Sequence, residues 1–167
     1  MTAAQAVFAL ALAAVVLGVI AFGVVVIRSA VRTGGGPYPS RELAGRLLRV
    51  PEERGETNRW AFYLHRITGV AILAFLCLHV LDVGVWTLSR PVFDELHELY
   101  ATTPLRVFEC GLLVAILFHT LNGLRIVAID AADLGPAAAG RLLAGVLALT
   151  ALLGAAGSVV ILAPLVS

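Results

Sequence analysis

The chain contains no lysine: all twelve of its basic residues are arginine. Arginine and lysine serve equally well as topology signals, so the bias reads as one of base composition rather than of function. Charge is nearly balanced, at a formal net +1, which leaves no electrostatic footprint for a nucleic-acid partner. Only two cysteines occur, Cys77 and Cys110, both inside apolar stretches and without metal-ligand spacing. They are expected to act as small buried hydrophobes. Neither an internal repeat nor a second soluble domain is visible along the 167 residues.

What is abundant is apolar surface. Sixty per cent of the residues are hydrophobic (60%) and the mean hydropathy is +0.96, values that make lipid the solvent for most of the surface. Four segments are long enough to cross a bilayer core, which takes about 20 helical residues. They run from Ala6 to Ile27, Ile67 to Ser89, Val107 to Ile129 and Leu142 to Val166. The expected fold is therefore an all-α membrane protein with four transmembrane helices. Its parts are an N-terminal helix over 1–27, a loop over 28–59 and a membrane domain with three helices over 60–167. The first span has no basic segment before it and is followed directly by Arg28 and Arg32, so an uncleaved anchor is expected rather than a signal peptide.

Basic residues also orient the chain. From Arg28 to Arg66 there are eight arginines against Glu42, Glu52, Glu53 and Glu56, whereas the loop from Arg90 to Arg106 holds only those two against Asp94, Glu95 and Glu98. The positive-inside rule makes the first loop cytoplasmic and places both termini outside. Within that first loop, Gly34-Gly35-Gly36-Pro37 is expected to break any helix. The stretch Glu42 to Val50 is expected to form a short interfacial amphipathic helix, with Leu43, Leu47 and Leu48 toward lipid.

Ionisable groups at membrane depth cost about 2.5–3.5 kcal/mol on insertion scales, so they point to function. The first and fourth spans carry none. The second holds His79 and Asp82; the third holds Glu109, His119, Asn122 and Arg125. Neutral imidazole is a natural ligand for haem iron, and a bundle of apolar helices can enclose a porphyrin. Histidines that only contact a neighbouring helix are the plainer alternative. Arg66, beside His65 at the mouth of the second span, and Arg125 are placed to meet haem propionates, or else to snorkel as topology anchors. Gly123, four residues after His119, is expected to let a flat ring approach the helix. Counted at about 1.5 Å per residue from Arg66 and from Asp130, His79 and His119 come out only about 4 Å apart in depth, an offset that would also suit one haem held by both.

Two motifs carry a resemblance. The run His65-Arg66-Ile67-Thr68-Gly69 is similar to the His-Arg-x-Ser/Thr-Gly signature of succinate dehydrogenase cytochrome b subunits, and His119-Thr120-Leu121-Asn122-Gly123-Leu124-Arg125 to that family's His-x-x-x-Gly-x-Arg element. The likeness covers Trp60 to Leu162, leaving the first helix outside a family core of three spans. It implies a haem-binding bundle core completed by a partner anchor subunit, with His119 as the haem ligand nearer the cytoplasm and His65 and Arg66 near the propionates and the proximal quinone pocket. Where ubiquinone-using relatives carry a quinone-binding serine, three positions before the His-Arg pair, this chain has Phe62. Leu78-His79-Val80-Leu81-Asp82 looks like the distal-haem segment of the two-haem, menaquinone-using branch.

The resemblance thus implies two haems b, with one haem as the alternative, and menaquinone as substrate. It implies an iron–sulfur subunit and a flavoprotein subunit as partners, which hold the iron–sulfur clusters and FAD, and a bacterial cytoplasmic membrane. A higher oligomer of the whole complex is left open. Electrons from succinate are then expected to pass by way of the iron–sulfur partner to the His119 side, on to the His79 side, and to quinone near the outer face. Glu109, Asp82, His97 and Tyr100 are the candidates for supplying protons there. A fumarate reductase anchor working in the opposite direction and a haem-free structural anchor are the competing readings. A transporter or channel subunit would need a polar stripe on more than two helices.

Overall fold

The computed structural model describes residues 1–32 and 54–165, with side chains over 1–28 and 60–165. The expected glycine-proline break at 34–37 and amphipathic helix at 42–50 lie outside the described residues. Five helices follow in order: α1 (Ala3–Arg32), α2 (Arg54–Leu88), α3 (Arg90–Tyr100), α4 (Thr103–Ala131) and α5 (Pro136–Leu162), closed by a 3₁₀ turn at Ala163–Leu165. Four of them are long and apolar enough to cross a membrane, over Ala3–Arg28, Trp60–Leu88, Thr103–Ala131 and Pro136–Leu165. The expected all-helical membrane architecture is what is found, with each span starting earlier than hydropathy alone marks.

Neighbouring long helices run antiparallel, as short connections in a bundle require. Gly23 faces Ile67 across α1 and α2, Phe75 meets Phe108 across α2 and α4, and Arg125 reaches Ala139 across α4 and α5. Both ends of the described chain therefore lie at the end that carries α3, and Arg32 and Arg54 lie at the opposite end.

The tightest pair is α4 with α5, and its connection explains why. Asp133 adopts φ 46°, a left-handed conformation that a short polar side chain tolerates. The Leu134 N–H then reaches back to the Ile129 carbonyl at 3.1 Å, the six-residue closure that ends helices at a left-handed residue. Gly135 caps α5, and Pro136, whose fixed φ suits a first helical turn, starts it. With so short a link, α5 buries a stripe of Ala139, Leu143, Val146, Thr150 and Gly154 at steps of four, three, four and four. Opposite it α4 buries Phe118, Asn122 and Arg125. Ala61 of α2 joins Phe118, Leu143 and Val146 in one core cluster.

A second cluster sits at the other end, where Phe8 and Leu12 of α1 pack on Leu96 of α3. Helix α3 corrects the expectation of a loop between Arg90 and Arg106. Ser89 caps it, Pro91 lies in its first turn, and Val92, Phe93, Leu96 and Leu99 recur at helical spacing to cover the bundle end. Gln5 fastens α1 to it, donating from Nε2 to the Glu95 carbonyl at 2.9 Å. Cys77, expected to be buried, is exposed on the outward face of α2, and Cys110 is intermediate. That face of α2 is apolar, so a cysteine there sits among lipid-compatible neighbours.

Candidate functional site

His65 and Gly69 lie one helical turn apart on α2, as His119 and Gly123 do on α4, so each pair shares a face. The antiparallel crossing brings these faces together. The imidazoles of His65 and His119 stack with centroids 3.9 Å apart and planes 2° from parallel. A Cβ added at Gly69 would stand 2.8 Å from His119 Cε1, which is why α2 needs glycine there. Gly123 faces the His65 imidazole, whose Cε1 would lie at an ordinary contact distance of 3.4 Å from a Cβ.

The hydrogen bonds of His119 fix its chemistry. Its Nδ1 lies 3.0 Å from the His65 carbonyl oxygen and 3.3 Å from Thr68 Oγ1. A carbonyl can only accept, so Nδ1 carries the proton and Nε2 keeps its lone pair. A metal-binding histidine needs that arrangement: one nitrogen donating to the protein, the other basic and free for a ligand. The ring lines an open cleft of about 580 Å³, together with Phe22 and Val26 of α1 and His65, Arg66, Gly69 and Val70 of α2. Volumes of about 300–1,000 Å³ are usual for cofactor sites.

Arg66 stands over the Phe62 ring, its Cζ 4.7 Å from the centroid. Phe62, the departure from the serine of the ubiquinone-using pattern, thus offers Arg66 an aromatic face and no hydroxyl. Arg125 is elsewhere. It is 8% exposed, turned toward α5, with Nε donating to the Ala139 carbonyl and Nη1 to Asn122 Oδ1, both at 3.2 Å. It is not among the residues of the cleft.

His79 is a separate site. It is exposed on α2 and stacks on Phe75, centroids 5.8 Å apart and planes 13° from parallel. Since His119 docks at the level of His65 and Gly69, His79 lies ten residues beyond it, about 15 Å along the helix. Two imidazoles on one iron need nitrogens within roughly 4 Å, twice a metal–imidazole bond. His79 and His119 therefore stand too far apart to share a metal. Arg66 and Asp130 lie at different depths, because α2 extends back to Arg54 and α4 runs alongside that extension.

Residues 53–157 match the sequence profile of the succinate dehydrogenase/fumarate reductase transmembrane subunit family. The chain belongs to that family. Among similar proteins, the succinate dehydrogenase 2 membrane subunit SdhC of Mycobacterium tuberculosis is 39% identical over 83 residues, covering 50% of this chain and 61% of that protein. The succinate dehydrogenase hydrophobic membrane anchor subunit of Halobacterium salinarum is 31% identical over 72 residues, covering 42% of this chain and 55% of that protein. The match therefore spans somewhat more than half the length of each relative. Both motifs of the stacked-histidine site fall inside the family segment; α1, with Phe22 and Val26, falls outside it.

At the α3 end, this family member gathers the other candidate residues. Asp82 is 4% exposed, and its Oδ2 accepts from the Tyr100 hydroxyl at 2.9 Å, while Oδ1 has no partner among the described residues. Tyr100 touches the exposed His97 ring at 5.3 Å, and Glu109 pairs with Arg106 at 3.6 Å. Burial pushes the Tyr100 hydroxyl well above its ordinary 10.0, helped by its hydrogen bond to Asp82 and by the negative charges of Asp82 and Glu109. Because the folded-state value is the higher one, the neutral tyrosine stabilises the fold below pH 10 or so, and that contribution is lost as the pH rises further. Asp82→Asn is expected to let Tyr100 ionise at lower pH, seen as an earlier tyrosinate absorbance step; an unchanged titration would show that Asp82 does not act on it.

Proposed function

We propose that the chain is the haem b-carrying membrane anchor of a succinate:quinone oxidoreductase, with menaquinone as its quinone. The observation that carries this reading is the His119 ring, its Nδ1–H given to a backbone carbonyl and its Nε2 left as a ligand beside an apolar cleft with arginine among its lining residues. Such a donor set fits a haem. Haem b, when bound, supplies a one-electron carrier. His119 would hold its iron through Nε2, and Arg66 would offer its guanidinium to the propionate carboxylates, a pairing that suits a planar fork of donors.

His79 would hold a second haem on the outward face of α2. An imidazole among lipid-facing residues is costly at that depth, so a second anchor subunit covers this face and would supply a further ligand to each haem. Iron–sulfur and flavoprotein subunits, holding the clusters and FAD, dock at the arginine-rich end. That end is cytoplasmic by the positive-inside rule, and both termini then face outward from a bacterial cytoplasmic membrane. At the outer end Asp82, Tyr100 and Glu109, with His97, hold and pass protons to the quinone.

Pyridine haemochrome and flavin assays on the purified complex test the reading. The expected ratio is about two haems per flavin, with His119→Ala and His79→Ala each removing a different spectral component. A ratio near zero leaves a haem-free anchor, and loss of the same component in both variants overturns the ligand assignment.

A further inference from the structure

α2 and α4 carry the same pattern, His-x-x-x-Gly, at His65 to Gly69 and at His119 to Gly123. Each glycine receives the other helix's imidazole, and the rings lie nearly parallel, as a local two-fold between antiparallel helices demands. The steric surroundings differ in degree, a Cβ standing 2.8 Å from His119 at Gly69 and 3.4 Å from His65 at Gly123. The polar groups differ in kind.

Three residues after each histidine stands a different side chain: Thr68 on α2, Asn122 on α4. Thr68 Oγ1 donates to the carbonyls of Leu64 at 2.8 Å and His65 at 3.0 Å, so toward His119 Nδ1, 3.3 Å away, it presents lone pairs. The His65 carbonyl accepts from the same N–H. Asn122, fully buried, accepts from Arg125 at its Oδ1, and its Nδ2 has no partner among the described residues. His65 Nδ1 is buried without a partner as well. Only one of the two imidazoles therefore has its Nδ1–H held, with its ring orientation and tautomer set.

We propose that Thr68, acting with the His65 carbonyl, is a positioning residue that selects His119 over His65 as the metal-binding imidazole of this pair. Thr68 touches neither iron nor porphyrin in this role; it acts through the His119 ring. The role rests on the reading that His119 ligates haem.

The test compares purified complexes carrying Thr68→Val, Thr68→Ser and His119→Ala, by haem per flavin, the low-spin EPR signal of the His119-dependent haem, and its midpoint potential. Valine keeps the shape and removes the hydroxyl. Loss of such an outer partner weakens metal binding about 10–100-fold, so Thr68→Val is expected to hold less haem on that site, and the haem it holds is expected to show a shifted EPR signal and potential. Serine is expected to restore all three. The proposal is overturned if valine matches the parent protein, or if serine is as impaired as valine, since the hydroxyl would then not be the cause. If His119→Ala keeps the component, the ligand assignment itself is overturned, and this proposal with it.

Discussion

Gly69→Ala is expected to cost the complex nearly all of the haem held through His119. The added methyl would stand 2.8 Å from His119 Cε1 and 3.4 Å from Nδ1. A flexible side chain could swing away from such a clash. This ring has no such freedom, because its Nδ1–H is tied to the His65 carbonyl and its face is covered by the His65 imidazole. Either α2 and α4 move apart or the ring leaves its seat. Overpacking of this kind costs about 1–3 kcal/mol, and a misdirected ligand weakens metal binding about 10–100-fold. Gly123→Ala is the control: its methyl would meet His65 Cε1 at 3.4 Å, an ordinary contact. At Gly157 a methyl would run into Leu113 Cδ2, the end of a flexible side chain, so Gly157→Ala is expected to be mild. Haem per flavin in the three purified variants checks the order. Equal haem content in Gly69→Ala and Gly123→Ala would show that the ring's seat on α2 does not matter.

The membrane spans were legible in the sequence because hydropathy reports the solvent directly, and the four segments it marks are the four long helices. His119 was legible as a ligand because a lone imidazole at depth is costly and because its motif resembles a known one. Its partner was not. His65 and His119 are 54 residues apart, and the register that pairs them depends on how far α2 extends toward Arg54, which hydropathy does not mark. Helix α3 could have been found. Ser89, Pro91 and the recurrence Val92, Phe93, Leu96, Leu99 form a start signal followed by an amphipathic stripe, obscured by the acidic residues between them. The inward turn of Arg125 was also available, since Phe118, Asn122 and Arg125 fall at steps of four and three on one face.

That arginine carries the other large effect. Arg125→Met is expected to lower the stability of the complex by about 3–6 kcal/mol, because hydrogen bonds from a charged donor are worth about 1.5–3 kcal/mol each and two are lost. The Ala139 carbonyl and Asn122 Oδ1 would both lose a donor at the most closely packed helix pair. Methionine fills the apolar volume, so the loss reports the polar contacts rather than a void. For a chain of this size the midpoint of thermal unfolding should fall by on the order of 10 °C. Arg125→Lys is expected to rescue little, since a single ammonium cannot serve the Ala139 carbonyl and Asn122 through a planar fork. The measurement is thermal denaturation of the purified complex with haem content followed alongside. If Arg125 locks α4 to α5, Tm falls while the haem potential of the folded protein is unchanged. If instead Tm holds and the potential shifts, Arg125 belongs to the cofactor and the helix lock is wrong. The two roles separate cleanly because one acts on folding and the other on a charge beside the propionates.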